Sequence, residues 1–160
     1  MQLDRIDRNI LSVLQGEARI TNQELADRVG LSPSSCLNRV RKLQDAELIG
    51  PYLGIVNLAK LFRSVTVVAT VSLKDQSTEA FRCFQEAAQA IPEVVECHVV
   101  SGSFDLFMRI VAPDMLRYNA INDQLLDVLP GEVNISSHVV LHTPKEFSGY
   151  PLNELWEGYN

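Results

Sequence analysis

Apolar residues recur at every third or fourth position in three short stretches near the start of the chain. The three stripes consist of Leu3, Ile6, Ile10, Leu11 and Leu14; of Leu25, Ala26 and Val29; and of Cys36, Val40 and Leu43. This spacing places each set on one side of an α-helix, where it can pack against a core. The pattern predicts three amphipathic helices within the first 50 residues.

The residues between the stripes predict where the helices begin and end. Thr21 or Asn22 can cap the second helix, and Gly30 ends it. Ser32 can cap the third helix, with Pro33 in the first turn, where a missing N–H costs nothing. Two helices joined by a tight glycine corner are typical of a helix-turn-helix.

The rest of the chain alternates strand and helix patterns. Residues 65–74 are rich in β-branched side chains, 77–91 have a helical stripe, and strands are predicted over 94–101 and 104–112, with a turn at Gly102. A second helix follows from Asp114 to about Leu129, and the segment "LPGEVNISSHVV" after it repeats features of "IPEVVECHVV" after the first. This order predicts a βαββαβ, ferredoxin-like domain and an α+β fold for the chain.

Alternation along these strands divides the predicted sheet into two faces. The core face holds Val67, Ala69, Val71, Leu73, Val95, Cys97, Val99, Leu106, Met108, Ile110, Ile135, Val139 and Leu141. The other face mixes Thr66, Val68, Thr70, Ser72, Val100, Phe107, Val111 and Val140 with Glu96, His98, Arg109, Asn134, Ser136, His138 and His142. That second face is too apolar to stay fully solvated, so we expect a partner sheet to cover it in a homodimer.

Composition and charge place the domain boundaries. The chain has 160 residues and a formal net charge of −6, yet residues 1–50 hold seven basic and seven acidic side chains, so the negative excess lies in the remainder. We predict a three-helix, winged-helix-like helix-turn-helix domain over 1–50, a linker strand or hinge over 51–64, a ferredoxin-like domain over 65–143 and a C-terminal tail over 144–160. Aromatic residues in that tail leave two options open, docking on a neighbour or a loose terminus.

The third helix gathers polar and basic side chains on its exposed positions. These are Ser34, Ser35, Asn38, Arg39, Arg41 and Lys42. Asn and Arg can read adenine and guanine edges in the major groove of double-stranded DNA, whereas Ser and Lys suit phosphate oxygens. We assign base reading to Asn38 and Arg39, and phosphate or secondary contacts to the others. A protein-binding module with a solvated basic face is the alternative.

Several other function classes lack their sequence signals. No apolar run is long enough to span a bilayer and the N-terminus has no signal-peptide core, so we expect a cytoplasmic protein without a membrane partner. Three widely spaced cysteines indicate neither a disulfide framework nor a zinc site. His98 with Ser101, Ser103 and Asp105 has the residue types of a catalytic triad, but these fall within one hairpin without a nucleophile elbow. We expect no enzyme, no metal and no cofactor.

Three motifs in order carry a family resemblance. They are "LDRIDRNIL", "NQELADRVGLSP" and "CLNRVRKL", and similarity continues through "SGSFD" to "KEFSGYPL". The chain resembles the leucine-responsive regulatory protein (Lrp/AsnC, feast/famine) family of transcription factors. The resemblance implies DNA binding, dimers that assemble into tetramers or octamers, and an amino-acid effector bound at the seam between dimers. One departure is Glu47, where the family usually has a glycine.

The same resemblance assigns the effector site. The family's Gly and Asp motif corresponds to Gly102 and Asp105, with Ser101 and Ser103 adding hydroxyls. Turn N–H groups can receive a carboxylate and an aspartate can hold an ammonium group. Ser136 and His138 share one strand face and are weaker candidates. We therefore expect a sequence-specific DNA-binding regulator controlled by a small effector, an amino acid; a stand-alone amino-acid sensor acting through protein partners is the alternative.

Overall fold

The computed structural model describes residues 3–157 and divides the chain into two compact units. The first unit contains the described residues up to Ile55 together with those from Lys145 onward, and the second contains Val56–Pro144. The predicted tail therefore belongs to the first unit in space, although it follows the second unit in sequence. Within residues 3–157, no helix is long and apolar enough to cross a membrane.

The first unit is built on three helices, α1 (Arg5–Gly16), α2 (Asn22–Val29) and α3 (Pro33–Asp45). Asp4 and Thr21 cap α1 and α2 through capping boxes, and Ser32 caps α3 with Pro33 in its first turn. The apolar stripes meet in one core formed by Ile10, Leu14, Leu25, Ala26, Cys36 and Leu43. The three predicted helices are confirmed.

Backbone geometry fixes the corner between α2 and α3. Gly30 adopts a left-handed conformation with φ of 70°, and the Leu31 N–H donates to the Ala26 carbonyl at 2.9 Å. The Asn22 side-chain amide donates to the Pro33 carbonyl at 2.9 Å, which joins the start of α2 to the start of α3. A left-handed glycine with this 6→1 bond is the Schellman ending of a helix. The corner therefore holds α3 at a fixed angle to α2.

The end of α3 uses the same motif with a different residue. Glu47 has φ of 56°, and the Leu48 N–H donates to the Leu43 carbonyl at 3.0 Å. Glycine is the usual residue in this conformation, and a residue with a Cβ is strained there by about 1 kcal/mol. The chain thus keeps the left-handed helix ending without the glycine that the family usually places there.

The predicted linker strand is absent from the structure. Residues 51–64 contain one short helix, α4 (Leu58–Leu61), which Asn57 caps, and no strand lies between α3 and β1 (Val65–Leu73). Of the predicted linker strand or hinge, the strand does not form in this chain, because no neighbouring strand of the described residues lies beside 51–64 to pair with it. Ile55 and Leu53 are instead exposed in this chain.

The second unit has the predicted βαββαβ order. After β1 come α5 (Thr78–Gln89), β2 (Val94–Val99), β3 (Leu106–Ala112), α6 (Met115–Leu126) and β4 (Val133–Val139). The strands form one antiparallel sheet in the order β2-β3-β1-β4. Phe84 on α5 and Ile121 on α6 are fully buried in the same core as the inward side chains of β1 and β3. The ferredoxin-like prediction is confirmed.

A β-bulge in β2 changes which residues face this core. Val94 pairs with Ile110 and Glu96 pairs with Arg109, so Val95 is an extra residue that has no partner on β3. Val94 therefore packs on the core, and Val95, which was predicted to be a core residue, is 47% exposed. Val99, Val139 and Leu141 were also predicted to be core residues, but they lie at or beyond strand ends and are exposed.

The sheet face away from the two helices mixes apolar and polar side chains in cross-strand rows. Val68 lies between Arg109 and His138, and Thr70 lies between Phe107 and Ser136. The Arg109 guanidinium also forms an ion pair with Glu96 at 2.6 Å. In the single chain this face, which we call the open face, is covered by neither α5 nor α6.

Candidate DNA-binding surface and ligand site

The outward face of α3 presents three side chains in one row. At about 100° per residue, Ser34, Asn38 and Arg41 lie within about 40° of the direction opposite to the buried Cys36. All three are exposed, and Cys36 is fully buried. A hydroxyl, an amide and a guanidinium therefore point away from the core of the first unit together. These groups can form hydrogen bonds with base edges and phosphates.

Arg39 lies on the flank of α3, beside α1. Its Nη1 donates to Asp4 Oδ2 and to Asp7 Oδ1, both at 2.7 Å, and its side chain is 31% exposed. The guanidinium thus joins α3 to the capping box at the start of α1. The assignment of Arg39 to base reading finds no support in this geometry, because its Nη1 donates to two carboxylates of its own unit and turns the guanidinium toward α1.

Electrostatic coupling is concentrated at that joint. The pKa of Asp4 is lowered, first by the hydrogen bond from the Asp7 backbone N–H and then by the bond from Arg39. The two carboxylates in turn raise the pKa of Arg39 above its ordinary value. These mutual effects keep Asp4 and Arg39 charged near neutral pH, so they remain an ion pair there.

The remaining predicted residues of α3 lie beside the outward row. The Ser35 hydroxyl accepts a hydrogen bond from the Ser32 hydroxyl at 2.8 Å, and Lys42 is exposed in the last turn of the helix. Leu37, which was not among the predicted residues, is also 39% exposed. Its position, about 100° around the helix from the buried Cys36, could have predicted this exposure from the sequence. An exposed apolar side chain beside Arg41 can contact a thymine methyl group.

The hairpin between β2 and β3 brings together the predicted effector residues Ser101–Asp105. Gly102 has φ of 137°, a value that favours glycine. Asp105 Oδ2 accepts from the Leu73 N–H at 2.8 Å and from Gln76 Nε2 at 3.3 Å. Among the hydrogen bonds of residues 3–157, the second carboxylate oxygen of Asp105 has no partner. Gln76, which the sequence did not indicate, therefore belongs to this site.

Ser136 and His138 lie elsewhere on the same sheet. They are exposed on β4, with Ser136 Oγ 3.4 Å from His138 Nε2. Strand β1 lies between β3 and β4, so β3 and β4 are about 10 Å apart at the usual spacing of strands. One chain therefore does not bring this pair into the hairpin site.

The His, Cys, Asp and Glu side chains are the candidates for holding a metal ion, and the cysteines are the candidates for forming a disulfide. Within the described part of the chain, no group of three or more His, Cys, Asp or Glu side chains is arranged to hold a metal ion. The three cysteines are free, and burial raises the pKa of the Cys36 and Cys97 thiols. Both thiols thus stay protonated at neutral pH and behave as small apolar core groups.

Comparison with known proteins covers both units. A winged helix-turn-helix DNA-binding model matches residues 3–49, and a model of the Lrp/AsnC ligand binding domain matches residues 66–150. The leucine-responsive regulatory protein of Escherichia coli strain K12 is 41% identical over 144 residues, which cover 90% of this chain and 88% of that protein.

Solved structures extend the similarity to the fold of the chain. An AsnC family transcriptional regulator from Agrobacterium tumefaciens has a TM-score of 0.85 at 30% identity, with 96% of this chain and 99% of that chain covered. A transcriptional regulator from Neisseria meningitidis, solved as a complex with L-Met, has a TM-score of 0.82 at 33% identity and the same coverage. With a helix-turn-helix, a ligand-binding domain and these relatives, the chain belongs to the Lrp/AsnC family of DNA-binding transcriptional regulators.

Proposed function

We propose that this regulator reads its operator with the outward row of α3. The observation that carries the proposal is that Ser34, Asn38 and Arg41 share one exposed face, while Arg39 is held by Asp4 and Asp7. Asn38 and Arg41 contact base edges, and Leu37 packs on a thymine methyl group. Ser34, Ser35 and Lys42 bind phosphates. Arg39 positions α3 against α1 and does not read bases.

The effector is an amino acid held at the β2–β3 hairpin. The Asp105 carboxylate receives the ammonium group through the oxygen that Leu73 and Gln76 do not use. Backbone N–H groups and hydroxyls of Ser101, Gly102 and Ser103 receive the carboxylate. The L-Met complex of the Neisseria meningitidis regulator supports this class of ligand. Because Ser136 and His138 lie two strands away, they enter such a site only from another chain.

The working form is a homodimer that uses the open face of the sheet. This face exposes Val68, Thr70 and Phe107 in part, together with ionic and imidazole groups that suit a polar rim. A two-fold dimer presents two copies of α3 to half-sites about 34 Å apart or a multiple of this distance on one duplex. Pairs of dimers then create the seams at which two chains contribute to one effector site, in tetramers or octamers.

One titration tests both halves of the proposal. A duplex selected by the wild-type protein from a random library is titrated by fluorescence anisotropy, with and without each of the twenty amino acids. We expect tighter binding to the selected duplex than to random DNA, and an affinity that changes with one or a few amino acids. Asp105→Asn keeps a hydrogen-bond acceptor for Leu73 but loses the charge, so it should abolish the amino-acid response and retain DNA binding.

Two outcomes would contradict the proposal. Equal affinity for selected and random DNA would indicate a stand-alone amino-acid sensor instead of a DNA regulator. An undiminished amino-acid response in Asp105→Asn would move the effector site away from the hairpin. Asp123→Asn, at an exposed carboxylate on α6 of the same domain, serves as the matched control.

A further inference from the structure

The C-terminal segment of residues 145–157, which we call the strap, packs on α1 of the DNA-binding unit. The Gln15 side chain pairs with the backbone of Tyr150 in both directions. Its Oε1 accepts from the Tyr150 N–H at 2.9 Å, and its Nε2 donates to the Tyr150 carbonyl at 2.8 Å. This two-bond arrangement resembles the pairing of a β-bridge and fixes the position of the strap along the helix.

One aromatic contact lies within the strap, and another joins the strap to α1. Phe147 and Tyr150 stack edge to face with ring centroids 5.0 Å apart. Further along, helix α7 (Leu152–Glu157) places Trp156 under the Arg8 guanidinium, which lies 5.6 Å from the ring centroid. This distance is within the range of a cation–π contact. The strap therefore contacts α1 near both ends, at Arg8 and at Gln15.

Gly149 shows that the fit between strap and helix is close. A Cβ at this position would lie 2.9 Å from the Gln15 side chain, and its φ of 122° is one that residues with a side chain rarely adopt. A larger residue at 149 would thus have to displace Gln15 as well as strain the backbone. The strap therefore binds α1 at a defined position, through directed hydrogen bonds and close packing and not through apolar contact alone.

The strap continues directly from the ligand-binding domain. The chain leaves the DNA-binding unit after Ile55, forms the ligand-binding domain, and returns at Lys145. Strand β4 ends at Val139, so residues 140–146 are all that separates the last strand of the ligand-binding domain from the aromatic contacts of the strap. While the strap is seated, its non-covalent contacts with α1 add a second link between the two units to the covalent linker at 51–64; after its release, only that linker joins them.

We propose that the strap is a reversible second connection that couples the ligand-binding domain to the DNA-binding unit. A seated strap restricts the orientations of the helix-turn-helix, so that two copies in a dimer are pre-organised for one operator. Two exposed hydrogen bonds and one cation–π contact hold the strap. An effector bound at the hairpin of a neighbouring chain, against Ser136 and His138 on β4 of this one, therefore has only a small energy to overcome to release it. The proposal rests on the operator-binding function above.

Tryptophan fluorescence reports whether the strap is bound to α1, because Trp156 is the single tryptophan of the protein. Two variants release the strap by different routes. Gln15→Ala removes both bonds to Tyr150, and Gly149→Ala introduces the clash with Gln15. Gln124→Ala is the matched control, because Gln124 is exposed on α6 of the other domain. Each full-length variant is compared with the wild type by tryptophan emission, acrylamide quenching and anisotropy titration of selected and random duplexes.

We expect both strap variants to show red-shifted emission, greater quenching and about tenfold weaker binding to the selected duplex, with unchanged binding to random DNA. Gln124→Ala should match the wild type in each measurement. Unchanged emission in both strap variants, or shifted emission with wild-type operator affinity, would overturn the proposal. If the wild type itself selects no duplex, the proposed function fails, and the emission data still report separately whether the strap is seated.

Discussion

The recognition helix and the effector hairpin are positioned in different ways. Helix α3 carries its outward row within one element, so the spacing of Ser34, Asn38 and Arg41 alone places them together. The hairpin brings in Leu73 and Gln76 from the end of β1, and Ser136 and His138 remain two strands away. The proposed DNA-reading surface is therefore local in sequence, whereas the proposed ligand site depends on strand order and, in our proposal, on a second chain.

The two regions also differ in how charge is used. On α3, Arg39 and Arg41 are separated by two positions, yet Arg39 forms ion pairs inside its unit and Arg41 is exposed. At the hairpin, one oxygen of Asp105 bonds to β1, and the other is free of partners within residues 3–157. An arginine of α3 or an oxygen of Asp105 can thus be engaged in an internal contact or remain exposed, and the neighbouring residues decide which.

The largest effects are expected from substitutions in the hydrophobic core of each unit, made one at a time. Phe84→Ala should destabilise the ligand-binding domain by about 3–5 kcal/mol, and Leu43→Ala should destabilise the DNA-binding unit by about 2–5 kcal/mol, since both side chains are fully buried. Hydrogen exchange by mass spectrometry measures where protection is lost. We expect the loss to be confined to the unit that carries the substitution. A uniform loss across both units would show that they unfold as one.

The next largest effects are expected on DNA binding, from separate substitutions of Arg41 and Arg39. Arg41→Ala should weaken operator binding by about 1–3 kcal/mol and relax the base preference at one position. Arg39→Ala should weaken binding to every sequence alike and lower the melting temperature, because α3 loses its joint with α1.

Repeating the duplex selection with each variant measures the two outcomes, and Lys42→Ala provides a phosphate-contact control. That control should reduce the salt slope of binding by about one unit. A changed base preference in Arg39→Ala with an unchanged one in Arg41→Ala would reverse the proposed roles.

The smallest effect concerns the end of α3. Glu47→Gly should stabilise the DNA-binding unit by at most about 1 kcal/mol, because glycine relieves the left-handed strain but adds freedom to the unfolded chain. Urea unfolding followed by circular dichroism measures the change. Gln44→Gly, inside the last turn of the same helix, should instead destabilise by about 1 kcal/mol. Destabilisation by Glu47→Gly would mean that its side chain contributes more than the strain costs.

Much of the fold was predictable because local signals agree with one another. Ser32 is the N-cap that the sequence predicted, Thr21 is one of the two candidates that it offered for α2, and Gly30 ends α2 in the left-handed conformation. The errors are at Val95, where a bulge reverses the alternation, and in the linker, where no neighbouring strand is available for pairing. Both errors arise because strand periodicity does not reveal which residues have a partner.

The sequence by itself determined three helices, a βαββαβ domain and the family, because caps, stripes and motifs act over a few residues at a time. Only the tertiary structure decided that Arg39 pairs with Asp4 and Asp7, that Asp105 bonds to the end of β1, and that the strap is seated on α1. These contacts join residues about 30 to 135 positions apart. Whether a charged or amide side chain finds such a distant partner depends on packing between elements, which no local pattern encodes.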